Sequence, residues 1–87
     1  MSEVVAPPGW DVRNSTLFRK FEFENFQEAF AFMADVADIA EQQDHHPDWC
    51  NSWNTVNISL KSHDVGAITE RDIDLASAIN ALLGEKI

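Results

Sequence analysis

Between Thr16 and Phe23 the chain alternates. Leu17, Arg19, Phe21 and Phe23 fall on one side, and Phe18, Lys20 and Glu22 on the other. A period of two in β-prone residues predicts a strand. Arg19 is the one charge on the mostly apolar side, which suggests a sheet edge. At Asn25 the period changes. Phe26, Phe30, Met33, Ala37 and Ala40 recur at spacings of three and four, and Ala29, Val36 and Ile39 widen the stripe. That is the pattern of a helix with one buried face. Asn25 with Glu28 three residues later forms an Asn variant of the capping box. Pro47 pushes His46 out of helical geometry, so the helix ends near Asp44 or His45.

The rest of the chain follows the same logic. Trp10–Val12 reads as a short strand before a turn at Asn14-Ser15. Trp49–Trp53 and Thr55–Lys61 read as two further strands joined near Asn54. In the second, Val56, Ile58 and Leu60 are the apolar face, and His63 keeps the parity of the polar one. Thr69, with Asp72 three residues on, opens a last helix whose stripe is Ile73, Ala76, Ile79, Leu82 and Leu83, with Gly84 as its stop. The order strand-strand-helix-strand-strand-helix predicts an α+β fold, with helices on one face of an antiparallel sheet. Residues 1–8, with Pro7-Pro8 before Gly9, read as a loose lead-in to a single domain over 9–87.

Composition narrows the function. Eighty-seven residues make one small domain with a marginal core, so oligomerisation is a reasonable source of added stability. A formal charge of −9, with six scattered basic residues, argues against direct nucleic-acid binding. No stretch approaches the roughly 20 apolar residues of a membrane span. Cys50 is the only cysteine, so no internal disulfide can form; with no signal-like segment, a reducing, cytoplasmic setting is expected. Cys50 itself is expected to be a small buried or semi-buried residue, not a catalytic thiol.

The candidate chemistry lies at the end of the long helix. His45 and His46 are adjacent, with Glu41, Asp44 and Asp48 around them. A lone histidine there reads as a helix C-terminal cation. A pair among carboxylates reads better as an acid/base site, because imidazole exchanges protons near neutrality. Two adjacent rings favour one neutral and one cationic form, which supplies a base and an acid together. Glu41, one turn before His45, is placed to orient that ring. A metal site is disfavoured, because consecutive side chains diverge and there is no His-x-x-x-His spacing or cysteine pair. No Gly-rich phosphate loop or serine-nucleophile elbow is present. For Asp72 simple helix capping carries half the weight. Core packing is the default for each of Trp10, Trp49 and Trp53, although one of the three can stack on a flat heterocycle.

Glu41-x-x-x-His45-His46-Pro47, then Trp53, then His63 and Asp72, resembles the signature of the pterin-4a-carbinolamine dehydratases. Phe30-Ala31-Phe32-Met33, Asp44-His45-His46-Pro47-Asp48-Trp49 and Thr69-Glu70-Arg71-Asp72-Ile73-Asp74-Leu75-Ala76 extend the resemblance over about Gly9 to Leu83. It implies a four-stranded antiparallel sheet with helices on one face. Relatives carry a third helix before the first strand, and the eight residues ahead of Gly9 are too short and proline-rich for it. It also implies homodimers formed through the sheet, some pairing again into homotetramers. The implied activity is dehydration of a 4a-hydroxytetrahydropterin to a quinonoid dihydropterin, which recycles the pterin of aromatic amino acid hydroxylases. Neither metal nor cofactor is required. By position, His45, His46 and His63 would surround the reacting edge of the pterin. Glu41, Asp44, Arg71 and Asp72 would support them, with Trp10 and Trp49 as pocket candidates. Some relatives serve instead as dimerisation or assembly cofactors without catalysis, which is the alternative role.

Overall fold

The computed structural model describes residues 5–84. Six elements follow in the expected order: β1 (Asp11–Arg13), β2 (Thr16–Glu22), α1 (Phe26–Gln43), β3 (Asp48–Ser52), β4 (Thr55–Leu60) and α2 (Glu70–Leu82). The strands form one antiparallel sheet in the order β1-β2-β4-β3. This is the α+β architecture anticipated above, with two helices among the described residues.

Register shows which face the helices cover. Leu17, Arg19 and Phe21 of β2 oppose Leu60, Ile58 and Val56 of β4, and Trp49 of β3 opposes Ile58. Leu17, Val56, Ile58 and Leu60 have no solvent exposure, and they meet Ala29, Phe32 and Val36 of α1 and Leu75, Ala76 and Ile79 of α2 in one core. Burying one such aliphatic side chain is worth about 1.5–3 kcal/mol, so this face supplies most of the cohesion.

Arg19 does not mark an edge. β2 is bonded to β1 on one side and β4 on the other. The charge is tolerated on the core face because its guanidinium lies 4.7 Å from the Phe21 ring centroid and donates to Asn80 Oδ1 at 2.7 Å. The long-helix stripe is also rotated from its expected position. Ala29, Phe32, Val36 and Ala40 are buried, whereas Phe26 and Phe30 are 47% and 58% exposed and Ala37 is exposed. Phe32 wins the core because it stacks on both Phe21 and Phe23, at 4.8 and 4.9 Å between centroids. In α2, Leu75 takes the core place and Leu82 and Leu83 are exposed. Cys50 is exposed too, since it lies on the sheet face that the helices do not cover.

Both hairpin turns use left-handed backbone. Asn14 and Ser15 have φ of 49° and 61°, the sign that a two-residue turn needs to match strand twist. Trp53 has φ 51°. Asn51 braces that turn by donating to the Trp53 and Thr55 carbonyls. Of the lead-in, Pro7 is buried, and the Pro8 carbonyl accepts from Asn80 Nδ2 at 2.9 Å.

Candidate active site

The end of α1 sets up the first histidine pair. Asn25 caps the start, its side chain accepting from the Glu28 amide at 2.8 Å, while Glu28 reaches back to the Glu24 amide. At the other end Asp44 adopts a left-handed conformation, φ 51° and ψ 43°. Aspartate tolerates that region better than most residues. The turn reverses the chain, and the His45 amide donates to Ala40 O at 3.1 Å. His45 is thereby carried inward and His46 outward. The contribution of Asp44 visible in the structure is this backbone geometry.

Each histidine meets a carboxylate through Nε2. His45 pairs with Asp72 Oδ1 at 2.6 Å, His46 with Glu41 Oε2 at 2.6 Å, and His63 with Asp48 Oδ2 at 2.9 Å. The expected partnership of Glu41 with His45 is therefore replaced. The left-handed cap breaks the helical i,i+4 relation, so Glu41 reaches the next residue instead. The side chains differ in exposure: 9% for His45, 58% for His46 and 68% for His63. His63 is exposed, but β4 ends at Leu60 and His63 lies in the turn beyond it. The parity expectation needed the strand to run that far, so it does not account for the direction of His63.

Asp72 does more than cap a helix. The capping box with Thr69 is complete. Asp72 Oδ2 accepts from the Thr69 amide and from Ser62 Oγ, both at 2.9 Å, which leaves Oδ1 for His45. The residue has no solvent exposure. Each of its contacts is a donor, as a buried carboxylate requires. A carboxylate only accepts, so against an ionised Asp72 the His45 Nε2 is the donor of this bond.

A cavity of about 360 Å³ opens beside His45, lined also by Gln43, Arg71 and Asp74. That size suits a small heterocycle. Arg71 donates to Asp64 Oδ1 at 2.8 Å. This hydrogen bond holds the Asp64 carboxyl below its ordinary value of 3.8. A second cavity of about 390 Å³, lined by Arg19, Lys20, Phe21, Glu22, Phe23 and Leu83, contains no histidine.

Of the other anticipated residues, Trp49 is half-buried against the core. Trp10 is buried, donates from Nε1 to Asn80 Oδ1 at 2.9 Å and packs edge-on to Phe21. Those contacts place it about two turns of α2 from Asp72. Asp48 and Ser62 were missed as site residues. Asp48 stood beside the histidine pair, so its position was a usable signal. Ser62 continues the parity of Val56, Ile58 and Leu60, a signal of burial, but its contacts with α2 carried none. Among the described residues no group of three or more metal-ligating side chains is found. No described helix is long and apolar enough to cross a membrane.

Known proteins resemble this chain over most of its length. The family model described as pterin 4 alpha carbinolamine dehydratase matches residues 1–82. A protein of Prochlorococcus marinus (strain NATL2A), named provisionally as a pterin-4-alpha-carbinolamine dehydratase, is 53% identical over 76 residues, covering 87% of this chain and 80% of its own length. A protein of Rhodopseudomonas palustris (strain BisB18), named in the same way, is 50% identical over 80 residues, 90% of this chain and 79% of its own. Among solved structures, a transcriptional coactivator/pterin dehydratase from Brucella melitensis superposes with a TM-score of 0.83 at 40% identity, covering 86% of this chain and 82% of its own. A pterin dehydratase-like protein identified as a RuBisCO assembly factor in the alpha-carboxysome shares the fold, with a TM-score of 0.73 at 24% identity over 88% of this chain and 89% of its own.

Proposed function

We propose, from the premise that the chain belongs to the pterin 4 alpha carbinolamine dehydratase family, that it dehydrates a 4a-hydroxytetrahydropterin to a quinonoid dihydropterin. The observation that carries this reading is the set of three histidines, each bonded through Nε2 to its own carboxylate. Dehydration needs two proton transfers. The C4a hydroxyl must gain a proton to leave as water. N5 must lose its proton while its electrons form the C4a=N5 bond. Each assisted transfer is typically worth about 10²–10⁴ in rate.

His45 suits one role because Asp72 holds its ring by Nε2 on the wall of the cavity. His63 suits the other. Its ring is exposed to an incoming hydroxyl and is held by Asp48 Oδ2 at 2.9 Å. His46 holds the hydroxyl or the ring, and Glu41 orients it. Arg71, on the wall of the cavity beside His45, supports the bound ring. No step calls for a metal or a cofactor. The product would return to the pterin pool of aromatic amino acid hydroxylases in the cytoplasm, and the working unit would be a homodimer or homotetramer.

The test is to mix the purified protein with freshly generated 4a-hydroxytetrahydropterin and follow the ultraviolet change. Decay faster than the buffer reaction is expected, reduced in His46→Ala and His63→Ala. Decay at the buffer rate, or variants as fast as the parent, would sink the assignment. The second reading is a protein-binding role, favoured by the exposed Phe26–Phe30 pair, 5.8 Å between centroids, and by the description of the Brucella melitensis relative as a transcriptional coactivator. One protein partner recovered repeatedly from native extract, with negligible turnover, would support it.

A further inference from the structure

The wiring behind Asp72 assigns work to a residue that does not line the cavity beside His45. Ser62 follows β4 and has no solvent exposure. Its hydroxyl lies 2.9 Å from Asp72 Oδ2 and 2.6 Å from Thr69 Oγ1. A carboxylate only accepts, so Ser62 donates to Asp72. Ser62 has a single proton, so at the other contact it accepts, and Thr69 donates. Thr69 Oγ1 in turn accepts from the Arg71 amide at 3.3 Å. Every bond then points the same way: from the Arg71 amide through Thr69 and Ser62 to Asp72, and there meets His45. The backbone of Ser62 meanwhile pins the loop that carries His63. Its amide donates to Ala67 O at 3.0 Å, and its carbonyl accepts from the Val65 and Gly66 amides at 3.1 and 2.8 Å.

We propose that Ser62 is a positioning residue for proton transfer at His45. Its hydroxyl fixes the rotation of the Asp72 carboxylate, so that Oδ1 faces Nε2 and His45 stays in the Nε2–H form with Nδ1 free. The role in turnover rests on the dehydratase reading; the effect on the tautomer does not. Without the Ser62 hydroxyl, Oδ2 keeps only the Thr69 amide. The carboxylate gains rotational freedom, and the buried site loses a charge-assisted hydrogen bond of the stronger kind. The partners that orient metal-bound histidines from behind are worth about 10–100-fold when removed, and Ser62, which acts through Asp72, is placed at the lower end of that range.

The test uses three variants of the full chain. In Ser62→Ala, kcat is expected to fall about 10-fold or more, with KM changed by less than about twofold, the pattern of a group that acts on the reacting state and not on binding. Ser62→Thr, which keeps the hydroxyl, is expected to restore most of kcat. Nitrogen-15 NMR of His45 gives a readout independent of turnover: a single Nε2–H tautomer in the parent and in Ser62→Thr, and mixed tautomers in Ser62→Ala. If Ser62→Ala does not fold, Ser62→Cys carries the test, since it offers only a weak donor of similar size. A folded Ala or Cys variant with the parent's His45 spectrum overturns the proposal, whatever the protein catalyses. An inactive parent with the expected spectra overturns the dehydratase reading and leaves the tautomer role standing.

Discussion

His45–Asp72 and His63–Asp48 are the same chemical pair in two surroundings. Both join an imidazole Nε2 to an aspartate oxygen, at 2.6 and 2.9 Å. The first is buried and its aspartate has two further donors. The second is mostly in water, with side chains 68% and 64% exposed. Burial makes the first pair costly to break, because a lone buried charge has no water to turn to. Exposure makes the second cheap, since solvent replaces either partner. The protein therefore contains one histidine whose orientation is structural and two whose orientation is adjustable. In the proposed dehydration, the buried pair would give the fixed point against which the ring is aligned.

Removing the charge of Asp72 should produce the largest effect. Asp72→Asn is expected to lower kcat by about 10²–10⁴, because the amide no longer dictates the His45 tautomer. Asp72→Ala should also cost about 3–5 kcal/mol of stability in urea titration, through unpaired groups left in the core. An Asp72→Asn enzyme with parent activity would erase the distinction between the buried and exposed pairs. His63→Ala comes next. It should lower kcat by about 10²-fold or more while changing stability by less than about 0.5 kcal/mol. A large loss of stability would mean that the exposed pair is a structural one after all. The smallest effect concerns Arg71→Ala. The hydrogen bond from Arg71 depresses the Asp64 pKa in the folded state, so it adds stability above the ordinary value of 3.8 and loses it as pH falls through the folded value. Parent and variant should differ slightly in melting temperature at neutral pH and converge in strong acid. A gap that persists in acid would show that Arg71 acts through something other than charge.

Much of this was legible in the chain. Alternation along β2 and β4 and the three-four spacing of α1 came from local periodicity, and periodicity survives folding. The capping residues Asn25 and Thr69 act within three residues of themselves, so they too were visible. Partner choice was not. Glu41 was matched to His45 by helical spacing, and one left-handed residue, Asp44, moved it to His46. The true partner of His45 lies 27 residues away on α2, and no local pattern announces such a contact. The rotation of the α1 stripe has a similar cause. Phe26, Phe30 and Phe32 are equally apolar, and only the positions of Phe21 and Phe23 on the sheet decide that Phe32 is the one taken in. Ser62 was the least legible: its parity continues the apolar face of β4, but nothing local says that a buried carboxylate waits there.

Asn80 has a consequence for the site that is not obvious from its position. It accepts from Trp10 Nε1 and Arg19 and donates to the Pro8 carbonyl, all within 2.7–2.9 Å. It lies eight residues beyond Asp72 on α2, about 12 Å along the helix axis. An apolar stripe alone lets a helix slide along its groove with little change in buried area. Two buried polar side chains, each with partners on other elements, do not, since a displacement of one residue would strand both at once. Asp72 and Asn80 thus act as two dowels in one beam. The Asn80 contacts and the His45–Asp72 pair share a single mechanical reference, and the alignment of His45 is set in part by Pro8, Trp10 and Arg19, which hold the far end of α2.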